Sequence, residues 1–233
     1  MGIIQADTIQ GVIFDLDGTL ANTLPLCYKA FNHAFEKYIG RRFKDEEIRA
    51  MFGPPEEGMV ARVVGAEHCQ DCLEDYWRFY AEFHDTSTVE IEGIWELLDS
   101  LKSRRVKTGI VTGKGPRSAA ITLQKLGLDT LIDTVVTGVD VVVPKPDPEG
   151  IFLAMKHLEL RPGHTVFVGD SWADIKAGRA AGVTTVAALW VTSAPGHVAI
   201  LKEAPDHVFY AVPDFAGWLA QHLPDHRCCM PVL

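Results

Sequence analysis

The sequence lacks any apolar run near the ~20 residues that a membrane-spanning helix requires. Residues 1–10 carry neither a basic segment nor a long apolar core, which predicts that this stretch is not a signal peptide. Ala6 stands where a myristoylation signal needs serine or threonine, so the opening Met-Gly pair does not indicate a lipid anchor. We therefore expect a cytoplasmic protein with no membrane partner.

Positive charge is also scarce. The 22 lysine and arginine residues are outnumbered by 31 aspartate and glutamate residues, and the net charge at pH 7 is -9. Such an acidic surface repels phosphate backbones, which argues against nucleic acid and anionic membranes as partners. A small anionic substrate is compatible with this charge, because a local cationic pocket can override the average field. The sequence gives no indication of the oligomeric state.

Cysteine is sparse and irregularly placed, with five residues in 233: Cys27, Cys69, Cys72, Cys228 and Cys229. The odd count and the spacing are typical of free thiols in a reducing cytosol. Cys69-Gln-Asp-Cys72 has the spacing of a redox or zinc half-site, but no second half-site follows, so a metal or redox role is disfavoured. His222, His226 and the Cys228-Cys229 pair cluster near the C-terminus, where a frayed end is the favoured interpretation.

The first part of the chain combines one buried strand with a long helical block. Residues 11–15 form a short apolar run that predicts a strand. Asp45 is expected to cap a short helix, and Pro55 to begin the next helix after the break at Gly53-Pro54-Pro55. Between residues 22 and 86 no strand pattern appears, and helices are predicted over residues 24–38, 45–52, 55–64 and 73–83.

After Glu90, helices and strands alternate. Regular alternation with continuous apolar strands predicts a parallel sheet that is covered on both faces. We therefore expect an α/β protein whose core, residues 1–21 and 88–233, is interrupted by an all-helical domain of residues 22–87. Strands are predicted over residues 106–112, 134–137, 165–168, 184–188 and 208–209, and helices over residues 94–101, 117–126, 149–158, 173–181 and 215–222.

Polar side chains follow four of the predicted strands. Ligands of open parallel sheets bind beyond the carboxyl ends of the strands, so these side chains should collect at one edge. The four groups are Asp15-Leu-Asp17-Gly18-Thr19, Thr112-Gly113-Lys114, Lys145 within residues 144–148, and Gly169-Asp170 followed by Asp174. Because each group comes after its own strand, a chance arrangement is implausible.

These residue types suit phosphoryl transfer. A phosphate monoester carries negative charge that repels a carboxylate nucleophile unless a cation intervenes. Asp15 and Asp170 together form a hard oxygen site suited to Mg²⁺, with Asp17 and Asp174 as further candidate ligands. For Asp174, a first-turn carboxylate that accepts from free N–H groups of its own helix is an equally good interpretation. Asp15 can attack phosphorus and form an aspartyl phosphate.

Asp17 lies two residues beyond this nucleophile. It can protonate the leaving alcohol and later deprotonate the water that hydrolyses the intermediate. Thr112 and Lys145 can bind and neutralise the phosphoryl oxygens. Gly18 permits a sharp backbone turn, and the candidate substrate-binding residues around this centre are Gly18, Thr19, Gly113 and Lys114. For Lys114, a solvated loop lysine is the alternative.

Four segments together resemble the motifs of the haloacid dehalogenase superfamily phosphatases. Val12-Ile-Phe-Asp-Leu-Asp-Gly-Thr-Leu20 is similar to the first motif, Ile110-Val-Thr112 to the second, Lys145 in Lys-Pro-Asp-Pro to the third, and Val168-Gly-Asp-Ser-Trp-Ala-Asp174 to the fourth. The resemblance spans nearly the whole chain and implies a Rossmann-like core with a mobile helical cap of the C1 type, inserted after the first motif. Dehalogenases of this superfamily lack the second aspartate of the first motif, so Asp17 favours hydrolysis of a phosphate ester or anhydride.

Two further segments indicate which subgroup of this superfamily the sequence resembles. Gly53-Pro54-Pro55 and Thr112-Gly-Lys114 look like the phosphoglycolate phosphatases and the similar bacterial pyrophosphatases, although Asn22-Thr23 stands where many relatives have Asp-Ser. The leading hypothesis is therefore a Mg²⁺-dependent phosphatase acting on a small phosphorylated metabolite, foremost 2-phosphoglycolate. Inorganic pyrophosphatase and sugar phosphomutase are the alternatives, and a non-catalytic binding module is a distant one.

Residues of the cap are the candidates for substrate selection. They are Gly53, Pro54, Pro55, Glu56 and Arg62, for which a helix start with exposed charges is the alternative. Lys44 and Arg49 are expected at the surface. The aromatic residues of the last cap helix, which are Tyr76, Trp77, Phe79, Tyr80 and Phe83, are expected to pack inside the cap.

Overall fold

A computed structural model describes residues 8–191 and 194–224 of the chain. The predictions for residues 1–7 and for His226, Cys228 and Cys229 lie outside these residues. Within the described ranges, no helix is both long and apolar enough to cross a membrane. Cys27, Cys69 and Cys72 are free thiols, as the sequence predicted.

Six parallel strands form one sheet. They are β1 (Gly11–Phe14), β2 (Lys107–Val111), β3 (Thr134–Val136), β4 (Thr165–Gly169), β5 (Thr184–Ala188) and β6 (His207–Phe209), in the spatial order β3-β2-β1-β4-β5-β6. Phe14 pairs with Ile110 on one side and with Val168 on the other, so β1 lies near the middle of the sheet. The residues that follow β1, β2 and β4 therefore meet at one edge.

Ten helices surround or extend this sheet. They are α1 (Leu24–Ile39), α2 (Asp45–Arg49), α3 (Glu56–Val64), α4 (Cys69–Ser87), α5 (Ile94–Ser103), α6 (Pro116–Lys125), α7 (Glu149–Leu158), α8 (Trp172–Ala181), α9 (Ala194–Leu201) and α10 (Val212–Ala220), and a 3₁₀ turn covers Pro162–His164. This count refers to the described part of the chain. The Rossmann-like α/β core is confirmed, and so is the all-helical insert after β1.

The apolar residues of the strands face both sides of the sheet. Val12 and Phe14 pack into one hydrophobic cluster with Leu98 of α5 and Phe215 of α10. Ile13 points to the opposite face, into a second cluster built with α7 and α8. Because successive side chains of a strand alternate between faces, a strand that is apolar at every position must be covered on both sides.

The four helices of the insert have a hydrophobic cluster of their own. Its members include Phe31 and Phe35 of α1, Ile48 of α2, Met59 of α3 and Tyr76 of α4. The chain enters and leaves the insert at neighbouring points, since Asn22 and Val89 form an isolated antiparallel bridge. We call helices α1–α4 with their connections the cap. Its exact limits at residues 22 and 87 stay a prediction.

Several local expectations were wrong. Lys44, not Asp45, is the N-cap residue of α2, and its N–H donates to the side chain of Glu47 at 2.8 Å. Pro55 precedes α3 as its N-cap residue and does not start it. Helix α4 begins at Cys69, four residues earlier than the aromatic pattern indicated. Helix α9 was not predicted, because Pro195-Gly196 reads as a break although both fall in the first turn of that helix.

Candidate active site

A cavity of about 420 Å³ lies between the carboxyl edge of the sheet and the cap. The core contributes Asp15, Asp17, Thr112, Gly113, Lys114, Lys145 and Asp170 to its lining, and the cap contributes Gly53, Pro54 and Glu56 among others. The structure therefore brings together side chains that lie more than a hundred residues apart in the sequence. Each of the four segments singled out in the sequence contributes at least one residue to the cavity lining.

Asp15 lies at the floor of the cavity. It follows β1 directly, its N–H donates to the carbonyl of Val168 at 2.8 Å, and only 7% of its surface is exposed. Lys145 Nζ lies 2.7 Å from Asp15 Oδ1 and also donates to the carbonyl of Val111 at 2.9 Å. Burial raises the pKa of Asp15 to about 7, against the opposing effect of the Lys145 ammonium and with a smaller contribution from Asp174.

Three carboxylates share this floor. One oxygen from each of Asp15, Asp170 and Asp174 lies within 4.8 Å of the other two. Burial raises the pKa of Asp170 well above its usual range, and the neighbouring Asp15 and Asp174 raise it further. The Lys145 ammonium lies 2.7 Å from both Asp15 and Asp174 and offsets part of the negative charge of the cluster. Hard oxygen donors with surplus negative charge fit a divalent cation such as Mg²⁺, so these residues are suited to hold it.

Gly18 is required by the position of Asp170. Its φ is +89°, and a Cβ atom at this residue would lie 2.2 Å from Asp170 Oδ2. A side chain here would therefore be strained in its backbone and would displace the carboxylate from the cluster. Gly18 does not line the cavity, and its lack of a side chain leaves room for Asp170, so its role in substrate binding stays a prediction.

Asp174 fulfils the helix-start interpretation made from the sequence, and its place in the carboxylate cluster keeps the metal interpretation open as a prediction. Its Oδ2 accepts from the N–H of Ser171 at 3.0 Å and from the Ser171 hydroxyl, which completes a capping box at the start of α8. Its Oδ1 lies 2.7 Å from Lys145 Nζ. One carboxylate oxygen thus fixes the helix while the other faces the site.

Asp17 is not part of the cluster of three carboxylates. Its Oδ1 accepts a hydrogen bond from the Thr23 hydroxyl and lies 3.1 Å from Lys114 Nζ. The structure therefore does not bring the Asp17 side chain into the cluster that could hold a metal. It lines the cavity two residues after Asp15 and bonds to Thr23 at the start of the insert, a position that suits a group exchanging protons with a leaving group.

The loop after β2 supplies two polar side chains. Thr112 is held by its N–H, which donates to the carbonyl of Val136 at 3.0 Å, and its Oγ1 accepts from the N–H of Lys114 at 3.2 Å. The Lys114 ammonium is buried between Asp17 and the cap, 3.3 Å from Cys27 Sγ and 4.8 Å from the centre of the Tyr80 ring. Burial disfavours this charge, but Asp17 and other neighbours raise the pKa of Lys114 well above its usual range. Lys114 is thus a buried ion-pair partner and not a solvated loop lysine.

The remaining candidates are distributed more widely. Pro55 lies outside the cavity lining, against Gly138 in the loop after β3. Arg62 is exposed on α3 and does not line the cavity. Thr19 is fully buried, and its carbonyl accepts from the Trp190 indole at 2.9 Å. These three residues are placed to support the site or to face solvent, and their role in substrate binding stays a prediction.

The sequence analysis missed some residues of the cavity wall. Arg49, which was expected at the surface, is exposed but also lines the cavity, and so do Leu24, Cys27, Phe31 and Met59. No local pattern marks these residues, because in the sequence they look like the apolar face and the charged end of ordinary cap helices. They become wall residues only through the way in which the cap sits over the core.

Similarity to known proteins agrees with this geometry. The family model described as haloacid dehalogenase-like hydrolase matches residues 12–188. The pyrophosphatase PpaX of Bacillus velezensis is 34% identical over 206 residues, which cover 88% of this chain and 94% of the relative. The pyrophosphatase PpaX of Bacillus pumilus is 35% identical over 211 residues, or 91% and 96% of the two chains. A solved HAD-superfamily hydrolase of subfamily IA from Geobacter sulfurreducens PCA has a TM-score of 0.63 at 25% identity, covering 91% of this chain and 96% of that one.

Proposed function

Because the chain belongs to the haloacid dehalogenase-like hydrolase family and is a phosphoric monoester hydrolase, we propose that it hydrolyses a small phosphorylated metabolite with Mg²⁺ as cofactor. The observation that carries the proposal is the floor of the cavity. There, Asp15 is buried beside Lys145 at 2.7 Å and within 4.8 Å of two further carboxylates. A buried carboxylate with a cation on one side and a hard-metal site on the other is arranged for attack on an anionic phosphorus.

The reaction follows from the residues in two steps. Asp15 attacks phosphorus, so that an Asp15 O–P bond forms while the bond to the leaving oxygen breaks. Asp17 gives a proton to that oxygen. In the second step Asp17 removes a proton from water, the water oxygen bonds to phosphorus, and the Asp15 O–P bond breaks to release phosphate. When bound, Mg²⁺ supplies positive charge that reduces repulsion between the phosphoryl group and the carboxylates.

Thr112 and Lys145 complete the environment of the transferring group. Lys145 is held by Asp15, Asp174 and the carbonyl of Val111, so its ammonium needs no reorganisation when a phosphoryl group arrives. The Thr112 hydroxyl can donate to a phosphoryl oxygen, since it currently accepts from the N–H of Lys114. Closure of the cap over this site would exclude water other than the hydrolytic one.

The leading substrate is 2-phosphoglycolate, on the strength of the Gly53-Pro54-Pro55 and Thr112-Gly113-Lys114 segments. Inorganic pyrophosphate is the second candidate, and the two relatives named as pyrophosphatases favour it. Sugar phosphomutase activity is a third. A cytoplasmic location remains the prediction made from the sequence.

Steady-state hydrolysis with added Mg²⁺ tests the proposal. The panel contains 2-phosphoglycolate, pyrophosphate, sugar phosphates and nucleotides, with Asp15→Asn and EDTA as controls. We expect one compound to have a kcat/KM far above the rest, and both controls to abolish turnover. Transfer of phosphate to a second sugar hydroxyl in place of release would indicate the mutase. Full activity of Asp15→Asn would refute the mechanism.

A further inference from the structure

One carboxylate of the cap is buried against the core. Glu56 is the first residue of α3, and 4% of its surface is exposed. It accepts three hydrogen bonds, from the N–H of Gly115 at 2.7 Å, from the Ser118 hydroxyl, and from the indole N–H of Trp77 at 3.3 Å. Two of these donors belong to the core and one to the cap. A residue that looks in the sequence like an exposed helix-start charge is thus enclosed at the boundary between the two parts.

The two core donors are at the start of α6. Gly115 is the N-cap residue of this helix and has no side chain that could accept from its free N–H groups, and Ser118 is the third helical residue. The Glu56 carboxylate accepts instead from the N–H of Gly115 itself, one of the N-terminal groups that have no partner within the helix, and from the Ser118 hydroxyl. A negative charge at a helix N-terminus is stabilised by the helix dipole as well as by the hydrogen bonds. The cap therefore provides a hydrogen-bond acceptor for the N-terminus of α6.

The start of α6 continues directly from residues 112–115, the loop that follows β2 and lines the cavity. Gly115 follows Lys114, whose ammonium lies 3.1 Å from Asp17 Oδ1 and whose N–H donates to Thr112 Oγ1 at 3.2 Å. The carbonyl of Lys114 accepts from the N–H of Gly138 at 2.9 Å. With Gly115 fixed by Glu56, both peptide groups of Lys114 have a hydrogen-bond partner, and the direction of its side chain toward Asp17 is set.

We propose that Glu56 is a positioning residue, which orients the loop of residues 112–115 when the cap is seated on the core. Seating of the cap places its carboxylate on Gly115 and Ser118, and this holds Lys114 against Asp17. Displacement of the cap removes the acceptor and loosens the loop. The effect on turnover rests on the proposed function, whereas the effect on the loop does not.

A second set of contacts across the same boundary offers a matched control. Glu74 of α4 pairs with Arg117 of α6 at 2.6 Å, and both side chains are about half exposed. This pair also joins cap to core. Arg117 lies over the Trp77 ring at 4.5 Å as well, but no described hydrogen bond links Glu74 or the Arg117 side chain to Gly115 or Lys114. Glu74→Gln removes the same charge from the same boundary without altering the acceptor at the helix start.

Hydrogen exchange and kinetics of Glu56→Gln, Ser118→Ala and Glu74→Gln test the proposal in the full chain. In Glu56→Gln we expect amide exchange at residues 112–118 to become about tenfold faster or more, as for loss of a bond to a charged acceptor. Ser118→Ala, which leaves the cap unchanged, should give a smaller increase in the same segment. Glu74→Gln should leave exchange there unchanged.

For turnover of the preferred compound, kcat of Glu56→Gln should fall about tenfold or more while KM changes less, because Lys114 holds Asp17, which acts on the chemical step. A merely structural role would lower the Tm without this split. Unchanged exchange at residues 112–118 would overturn the proposal, and so would faster exchange with kcat equal to wild type. If the wild type turns over no phosphate compound, the proposed function and the effect on kcat both fail, and exchange alone decides whether Glu56 holds the loop.

Discussion

Replacement of Asp15, the proposed nucleophile, by asparagine is expected to make the metal-free protein more stable at a pH of about 8. Burial raises the pKa of Asp15 from 3.8 to about 7 in the folded protein. Above both values the ionised carboxylate is therefore less favourable in the folded state than in the unfolded chain. Asparagine resembles the neutral acid in shape and carries no charge, so it removes this penalty.

The size of the gain follows from the shift in pKa. Each pKa unit corresponds to about 1.4 kcal/mol, and a shift of about three units gives an upper limit of about 4 kcal/mol for the free energy of unfolding. This limit already contains the opposing effect of Lys145, and relaxation of a buried site lowers such a penalty, so we expect a gain of about 2–4 kcal/mol. For a chain of this length it corresponds to a Tm higher by roughly 4–15 °C. Because the folded-state pKa is raised, the penalty is absent below a pH of about 4 and grows between about 4 and 7.

Denaturation in EDTA provides the measurement. Urea or thermal unfolding of wild type and Asp15→Asn would be compared at a pH of about 8 and again at about 5, where less than half of the gain should remain. Asp129→Asn is a matched control, since Asp129 is exposed and lies outside the cavity lining. An Asp15→Asn variant no more stable than wild type at the higher pH would refute the reasoning. So would a gain that is equal at both pH values.

Three other substitutions have defined outcomes. Asp17→Asn should lower kcat about 10²–10⁴-fold in a folded protein, as for loss of a general acid and base, and near-normal turnover would contradict its role. Gly18→Ala should cost about 1–2 kcal/mol for its positive φ and weaken Mg²⁺ binding by displacing Asp170, and a calorimetric titration with unchanged affinity would contradict this. Lys145→Met should abolish turnover and lower the free energy of unfolding by about 3–5 kcal/mol, because it leaves Asp15 and Asp174 without their cation. An unchanged Tm in EDTA would contradict this prediction.

The sequence predicted the floor of the site well because its information is local. Each candidate on the core side follows an apolar strand, and parallel strands place their carboxyl ends at one edge whatever the rest of the chain does. Asp15, Lys145 and Asp170 were found in this way. For Asp174 the sequence allows two interpretations, a metal ligand or a first-turn carboxylate of its own helix. The structure shows the capping box with Ser171 and places the other oxygen beside Lys145, while the metal role stays a prediction.

The boundary between cap and core could not be predicted in the same way. Glu56 and Gly115 are 59 positions apart, and no periodicity or spacing relates them. The pairing of Lys114 with Asp17 likewise depends on how two loops approach each other. Helix α9 was missed for a different reason, since Pro195 and Gly196 are breakers within a helix but are accepted in its first turn. The sequence thus predicts which residues follow the strands at the site, but it does not predict the contacts between distant segments.

The bridge between Asn22 and Val89 has a consequence for how such a chain can be altered. Because the chain enters and leaves the cap at neighbouring points, the cap is an inserted unit whose two ends lie together and whose helices share an apolar interior. Strands β1 and β2 pair directly on either side of the insert, and lengthening a closed loop adds little to the entropy cost of bringing its ends together. A graft that keeps Asn22 and Val89, and supplies a new acceptor for Gly115 and Ser118, would thus exchange the roof of the cavity while leaving its floor unchanged.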